Sequence, residues 1–352
     1  MGSLRSFVMI RIALLIPMMW LLITMVFFLL RVLPGANPVR VMNPQLPESE
    51  VQRISNEMGL NRPLWEQYTD FIEDAITFDF GNSYRSDDSI NEELQLVYGP
   101  TVMLAVGATL IGVPLGVYLG AYAGAHREKI PDHLIRLFTL GVFAIPIFLV
   151  GIMMQLTFGE GYGIEIPTPL GDIKFNGFLP PLGIMYPGTT GDFEHYTEIW
   201  FIDTILSGRP DLAMDIIMHL IMSCTALGML IASSIARQVR INMIAELEQD
   251  YVHFARSRGI SERAVKYRYA LKNSVTPVIG LIGLQFALLL AGAILTETTF
   301  NIPGLGRYLF LAIQNKDFPA VQGAMVVFIV VVSLVSLLSD VLYALVDPRI
   351  KY

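Results

Sequence analysis

Six apolar runs divide this 352-residue chain, at about 9–33, 101–124, 134–158, 212–236, 275–299 and 320–346. About twenty apolar residues in a helix match the roughly 30 Å hydrocarbon thickness of a bilayer. Each run therefore predicts a membrane-spanning helix. The polar intervals differ in length: 34–100 and 159–211 are long, 237–274 is intermediate, and the connection after the second run is short. The first run is too long for the apolar core of a signal peptide, and no small-x-small site follows it, which predicts an uncleaved first helix.

Charge orients these spans. Residues 34–100 hold Arg40, Arg53, Arg62 and Arg85 against twelve acids, and residues 159–211 hold Lys174 and Arg209 against eight. Residues 237–274 reverse the balance, with eight basic residues against four acids. Arg127 and Lys129 follow the second run, Arg5 and Arg11 lie near the start, and Arg349 and Lys351 near the end. Basic connections face the cytoplasm. The expectation is an all-α membrane protein with six transmembrane helices, both termini cytoplasmic, and a helical extracytoplasmic subdomain after the first span. The organisation reads as a first helix (1–33), an outer subdomain (34–100) and a five-helix core (101–352). The core carries an outer insert at 159–211 and a cytoplasmic loop at 237–274.

Composition agrees. Hydrophobic residues make up 53% of the chain and charged residues 16%, with a mean hydropathy of +0.54, outside the range of soluble globular chains. The net charge of -7 comes from the outer intervals, and no basic patch with interleaved aromatics points to nucleic acid. The single Cys224 rules out a disulfide framework or a cysteine metal cluster.

Within the outer subdomain, Leu46 to Glu50 looks like a helix start, Met58 to Leu60 a helix end, and Trp65 to Phe78 a second helix. The 159–200 stretch, rich in Gly, Pro and aromatics, has short strand or turn character. Pro17, Pro114 and Pro146 fall inside spans and predict kinks. Gly112, Gly116, Gly120 and Gly124 recur every four residues on one helical face. Such a face admits another helix closely: a helix of this chain, a subunit interface, or a pore lining. Polar groups at membrane depth are rare and face protein or a cavity. His219, Gln285 and Asp340 read as interior or helix-anchoring groups. Glu297 is a candidate for lining a pathway mouth, with hydrogen bonding to its neighbouring threonines as the other reading.

The 250–277 segment is the most distinctive. It is basic, lies between two spans, and reads as two short helical pieces separated by Gly259. An ordered cytoplasmic loop of this kind has a partner to touch. The candidate contact residues are Asp250, Tyr251, Phe254, Ala255, Arg256, Arg258, Gly259 and Arg263, with Arg268 and Tyr267 beside them. A loop that only orients the chain at the lipid surface is the alternative. No phosphate loop, HExxH or GxSxG motif is present, so the sequence predicts no enzyme activity and no bound cofactor. A self-contained secondary transporter would show inverted repeats and buried ion-coupling carboxylates, and the sequence displays neither.

Asp250, Tyr251, Ala255, Arg256 and Gly259 resemble the cytoplasmic signature of permease subunits of binding-protein-dependent ABC importers, in the peptide-type branch. Further stretches are similar to that branch in the same order: ArgValLeuProGlyAlaAsnPro at 31–38, MetGlyLeuAsnArgProLeu at 58–64 and PheGlyAsnSer at 80–83. GluThrThrPheAsnIleProGlyLeuGlyArg at 297–307, AspPhePro at 317–319, ValGlnGly at 321–323 and AspProArgIle at 347–350 follow. The resemblance implies a multi-pass protein of a prokaryotic cell membrane whose 250–277 segment docks, as a coupling helix, in a cleft of an ATPase subunit. It implies four partners besides lipid: a second similar permease, two ATP-binding subunits that use the ATP, and an external solute-binding protein. The implied cargo is a di- or oligopeptide, with nickel chelates and oligosaccharides carried by close relatives.

Overall fold

The computed structural model describes residues 4–31, 39–40, 45, 47–57, 59–83, 85–166, 173–189 and 191–346. The chain is helical. The first helix, α1 (Leu4–Arg31), leads to two shorter helices, α2 (Glu48–Glu57) and α3 (Leu64–Thr77). A 36-residue helix, α4 (Ile90–Ala125), follows, then α5 (Ile130–Ala144) and α6 (Ile147–Phe158). After the 159–199 insert come α7 (Trp200–Leu206) and the 38-residue α8 (Pro210–Leu247). The short α9 (Asp250–Ser257), α10 (Leu271–Thr299), α11 (Leu305–Gln314) and α12 (Phe318–Val346) complete the order. One amendment to the all-α expectation is a small antiparallel hairpin in the insert. It pairs β1 (Gly163–Ile166) with β2 (Ile173–Asn176), in the register Gly163 to Asn176.

Among the described residues α1, α4, α8 and α12 are long and apolar enough to cross a membrane, and α10 is a continuous 29-residue helix over the fifth expected run. The third run is different. Its residues form a pair, α5 and α6, bent by 106° at the Ile145–Pro146 break. Pro146 cannot donate the helical hydrogen bond and constrains the residue before it to extended backbone; Ile145 accordingly has φ -91° and ψ 128°. The helix runs on through Pro17 in α1 and Pro114 in α4. At about 1.5 Å per residue, α4 and α8 are each roughly 55 Å long and exceed the hydrocarbon slab. The first eleven residues of α4 and the last eleven of α8 therefore extend beyond the apolar runs.

The α4–α8 contact is the centre of the fold. A Cβ on Gly112 would lie 2.5 Å from the Gly228 carbonyl oxygen, on Gly116 2.8 Å from that of Ala232, on Gly120 2.5 Å from that of Ala236, and on Gly124 2.7 Å from Met243 Cβ. The facing carbonyls are those of Gly228, Ala232, Ala236 and, 3.1 Å from the Cβ position of Gly124, Arg240; the partner advances four residues for each step of four, so the two helices run parallel in a fixed register. Lipid supplies no hydrophobic drive between helices, so close backbone approach and dispersion hold the pair. Around it pack Leu104, Ala108, Leu227, Ile231, Ile235 and Val239, all fully buried.

Polar groups close the other seams. Gln285 donates to Ser234 at 2.6 Å, and Arg11 pairs with Asp340 at 3.0 Å, tying the start of α1 to the end of α12. The Nδ1 of His219 lies 2.9 Å from the Asp215 carbonyl, with Tyr186 edge-on at 4.8 Å. Phe27 of α1 stacks on Phe71 of α3 at 5.7 Å, which seats α3 on the first helix. Ser83 donates to Asp317 at 2.5 Å, and a Cβ on Gly323 would meet Phe80 at 2.9 Å. The 80–83, 317–319 and 321–323 stretches of the sequence thus form one contact.

Candidate functional site

The 250–277 segment folds as a bracket on the end of α8. Leu247 ends that helix and α9 begins three residues later. One face of α9 is apolar: Val252 and Ala255 are buried with Val265, and Leu247, Tyr251 and Ile260 pack around them. Gly259 turns the chain at φ +76°, a conformation that costs a residue with a Cβ but not glycine. Ser261 caps the next turn by accepting from the Ala264 N–H. A π-helical stretch, Val265–Ala270, then leads into α10. Such wide turns occur mostly as short segments at functional places.

The opposite face is open. Phe254 is 64% exposed, and His253, Ser257, Arg258, Glu262, Arg263, Tyr267 and Arg268 are exposed beside it. The Arg258 guanidinium lies 5.7 Å from the Phe254 ring centre and braces it. An exposed aromatic with an arginine over its ring, on a loop that also exposes Arg263 and Arg268, offers a hydrophobic anchor plus charge-assisted donors.

Three candidate residues have different surroundings from their neighbours. Ala255 is 5% exposed and belongs to the packing face. Arg256 is engaged inside the loop, with Nε 2.8 Å from Glu262 Oε1. Tyr251 donates to Glu246 at 2.6 Å, and burial together with that bond pushes its phenol up to about 12. These three shape the bracket, while Phe254, Arg258, Arg263 and Arg268 face outward. Asp250 opens α9, where its carboxylate suits the positive end of the helix.

Glu297 lies elsewhere, near the C-terminal end of α10, and is fully buried rather than at an open mouth. Its carboxylate accepts from Thr101 Oγ at 2.6 Å and from the Arg307 N–H at 2.8 Å, and Thr101 Oγ accepts from the Leu305 N–H at 2.8 Å. The donors on α11 are free first-turn amides, so Glu297 satisfies the start of that helix. Thr298 and Thr299 are not its partners; they donate to the carbonyls of Ile294 and Leu295. A Cβ on Gly304 would overlap the Glu297 carboxyl group, and one on Gly306 would lie 3.0 Å from it. Replacing Glu297 with alanine strands these buried donors, at a cost of about 1–3 kcal/mol each. We expect a clearly lower melting temperature in detergent for Glu297→Ala and a smaller drop for Thr101→Val. The double variant should lose less than the sum, because both changes remove the same contact. Additive losses would refute the shared role.

Residues that the apolar pattern does not reveal complete the end of the bundle that carries the bracket. Arg240 Nε and Nη2 bind the two oxygens of Asp132 at 2.5 and 2.7 Å, across 108 residues of sequence. Lys266 Nζ donates to the Ala125 carbonyl at 3.1 Å, and Arg127 pairs with Glu248 at 2.7 Å. Their one trace in the sequence is a lone carboxylate, Asp132, at the head of an apolar run on the basic side of the chain.

The chain is similar over its length to known transport proteins. Residues 112–352 match the family described as binding-protein-dependent transport system inner membrane component. The chain is 33% identical over 347 residues to a dipeptide transport system permease protein of Alkalihalophilus pseudofirmus, covering 99% of both. It is 33% identical over 353 residues to a di/tripeptide transport system permease protein of Pseudomonas aeruginosa, again with 99% of both covered. A glutathione transport system permease protein of Shigella boydii is 28% identical over 338 residues, 96% of each.

Proposed function

Because this chain belongs to the family of binding-protein-dependent transport system inner membrane components, we propose that it forms half of a pathway importing di- and oligopeptides and that its 250–277 bracket couples that pathway to ATP hydrolysis. It is a multi-pass permease of a cell membrane, of the peptide type. The observation that carries the coupling role is the two-sided bracket: Val252, Ala255 and Val265 packed behind, Phe254 at 64% exposure in front. A loop that only orients the chain at lipid needs neither the packed rear nor the left-handed Gly259.

The partners follow from that role: a second permease, two ATP-binding subunits and an external binding protein. ATP-driven closure of the ATP-binding subunits would push on α9 and shift the permeases between outward and inward states. Each ligand contributes only through its different affinity for the two states. Peptide cargo is supported by relatives named for dipeptides and di/tripeptides. Nickel chelates and oligosaccharides remain the other cargo of this importer class, and uptake assays with labelled dipeptides against both decide between them.

The orientation is six crossings with both ends inside. The Arg11–Asp340 pair supports it, since it joins the two ends on one side. Single cysteines at Asn82 and Asn176 should react with an impermeant maleimide from outside, and one at Ser261 only after the membrane is opened. External labelling of Ser261 would reverse the orientation. Purified alone, the chain should hydrolyse no ATP; turnover should appear only with the ATP-binding subunits, and ATPase activity of the isolated chain would refute this division.

A further inference from the structure

The turn between α4 and α5, residues 125–132, is held from two sides, by the coupling bracket and by the α8 helix that carries the bracket. Lys266, in the π-helical stretch behind α9, donates to the Ala125 carbonyl at 3.1 Å. Arg240, near the end of α8, holds Asp132 through two hydrogen bonds at 2.5 and 2.7 Å. The Asp132 carboxylate also accepts from the Glu128 N–H at 3.0 Å, where the backbone takes φ +61° without being glycine. Such a conformation persists only where its surroundings over-determine it.

The contacts differ in weight. Arg127 and Glu248 are 51% and 67% exposed at their side chains, and a pair in solvent contributes little. Asp132 is fully buried and the Arg240 side chain is 19% exposed. Breaking such a pair leaves a buried charge without its partner, so the geometry is strongly held. Arg237, one turn before Arg240, adds a cation–π contact over Phe143 of α5 at 4.6 Å.

We propose that the 125–132 turn is the second half of the coupling unit, and that Asp132 is the positioning residue that makes the bent α5–α6 pair follow the bracket. This rests on the coupling role proposed for the 250–277 segment. A push on α9 moves Val265 and Leu247, which pack against it. Leu247 belongs to α8, which carries Arg240, and Val265 adjoins Lys266; both grips close on the same turn. The turn then carries the displacement into α5, which the glycine seam of α4 and α8 does not include.

The test uses the complete transporter in proteoliposomes with its binding protein, and reads labelled dipeptide moved per ATP hydrolysed. Asp132→Asn keeps the side-chain size and removes the charge; Lys266→Met removes the other grip at a site less critical for folding. Both should retain the ATP-binding subunits on purification, yet transport per ATP should fall about 5-fold or more, the lower end of an allosteric coupling. The exchanged pair, Asp132→Arg with Arg240→Asp, should recover part of the loss, which a role in packing alone would not produce. Normal transport per ATP in an assembled Asp132→Asn protein overturns the inference. So does failure of that variant to assemble beside a normal ratio in Lys266→Met. Phe254→Ala separates the two readings: if it too transports normally, the coupling role of the bracket fails. If it is defective while Asp132→Asn is normal, only the positioning role fails.

Discussion

A Gly116→Leu or Gly120→Leu protein should not accumulate as a folded, monodisperse species in detergent, whereas Gly141→Ala should behave as the parent. At the first two positions even the first added carbon meets backbone. A Cβ on Gly116 would lie 2.8 Å from the Ala232 oxygen and 2.8 Å from Ile235 Cβ; one on Gly120 would lie 2.5 Å from the Ala236 oxygen. Overpacking a close-packed interior typically costs about 1–3 kcal/mol where side chains relax. Here backbone of α8 is the obstacle, and moving it separates the seam along its whole length. The loss should exceed that range, and thermal unfolding or size exclusion of the purified protein reads it directly. Nothing lies within 4 Å of the corresponding point on Gly141, so that variant controls for helix propensity. A well-behaved Gly116→Leu protein would mean that the seam is loose and the register not enforced.

The second large effect belongs to the bracket. Gly259→Val should abolish most peptide uptake and binding-protein-stimulated ATP hydrolysis while leaving insertion in the membrane intact. The space around Gly259 is open, so a side chain there clashes with nothing; the φ of +76° is the obstacle. Forcing a β-branched residue into that region costs about 1–3 kcal/mol, enough to change the turn in a loop that few contacts hold. Asn tolerates the left-handed region, so Gly259→Asn should keep most activity. Phe254→Ala should weaken capture of the ATP-binding subunit by about 2 kcal/mol or more if the ring fills a pocket there, roughly a 30-fold loss in affinity. Equal activity of Val and Asn at position 259 would sever the link between turn geometry and coupling.

The apolar runs locate helices well because membrane thickness imposes a length and a composition together. The run at 212–236 falls within α8 (Pro210–Leu247). The run at 101–124 falls within α4 (Ile90–Ala125), whose first eleven residues are too polar to register as a span. The 134–158 run misleads for the same reason that it is recognisable. Hydropathy is continuous through Ile145 and Pro146, so a 106° change of direction leaves no mark beyond one proline among several that bend nothing as sharply. The glycine period was legible as a close-packing face but not its occupant, since the identity of a facing helix is tertiary. The bracket was legible through its resemblance and its Gly259. The division of that loop into packed and exposed residues was not, because Arg256 and Arg258 look alike in sequence while one holds Glu262 and the other braces Phe254. Glu297 with Thr101, and Asp132 with Arg240, pair across 196 and 108 residues, and no local pattern carries such distances.

The parallel register of α4 and α8 fixes a parity. Two helices that traverse one bilayer in the same direction start on the same side, so the chain leaving Ala125 stands on the far side from where Pro210 begins. The stretch between them must traverse an odd number of times, and among the described residues α5 with α6 is its only apolar pair. Under the proposed orientation the sharp bend is therefore a crossing made in two oblique strokes, not a dip that returns to its own side. Epitopes inserted next to Glu128 and at the β1–β2 hairpin should report from opposite faces of the membrane, and they should do so whichever face proves to be the cytoplasm.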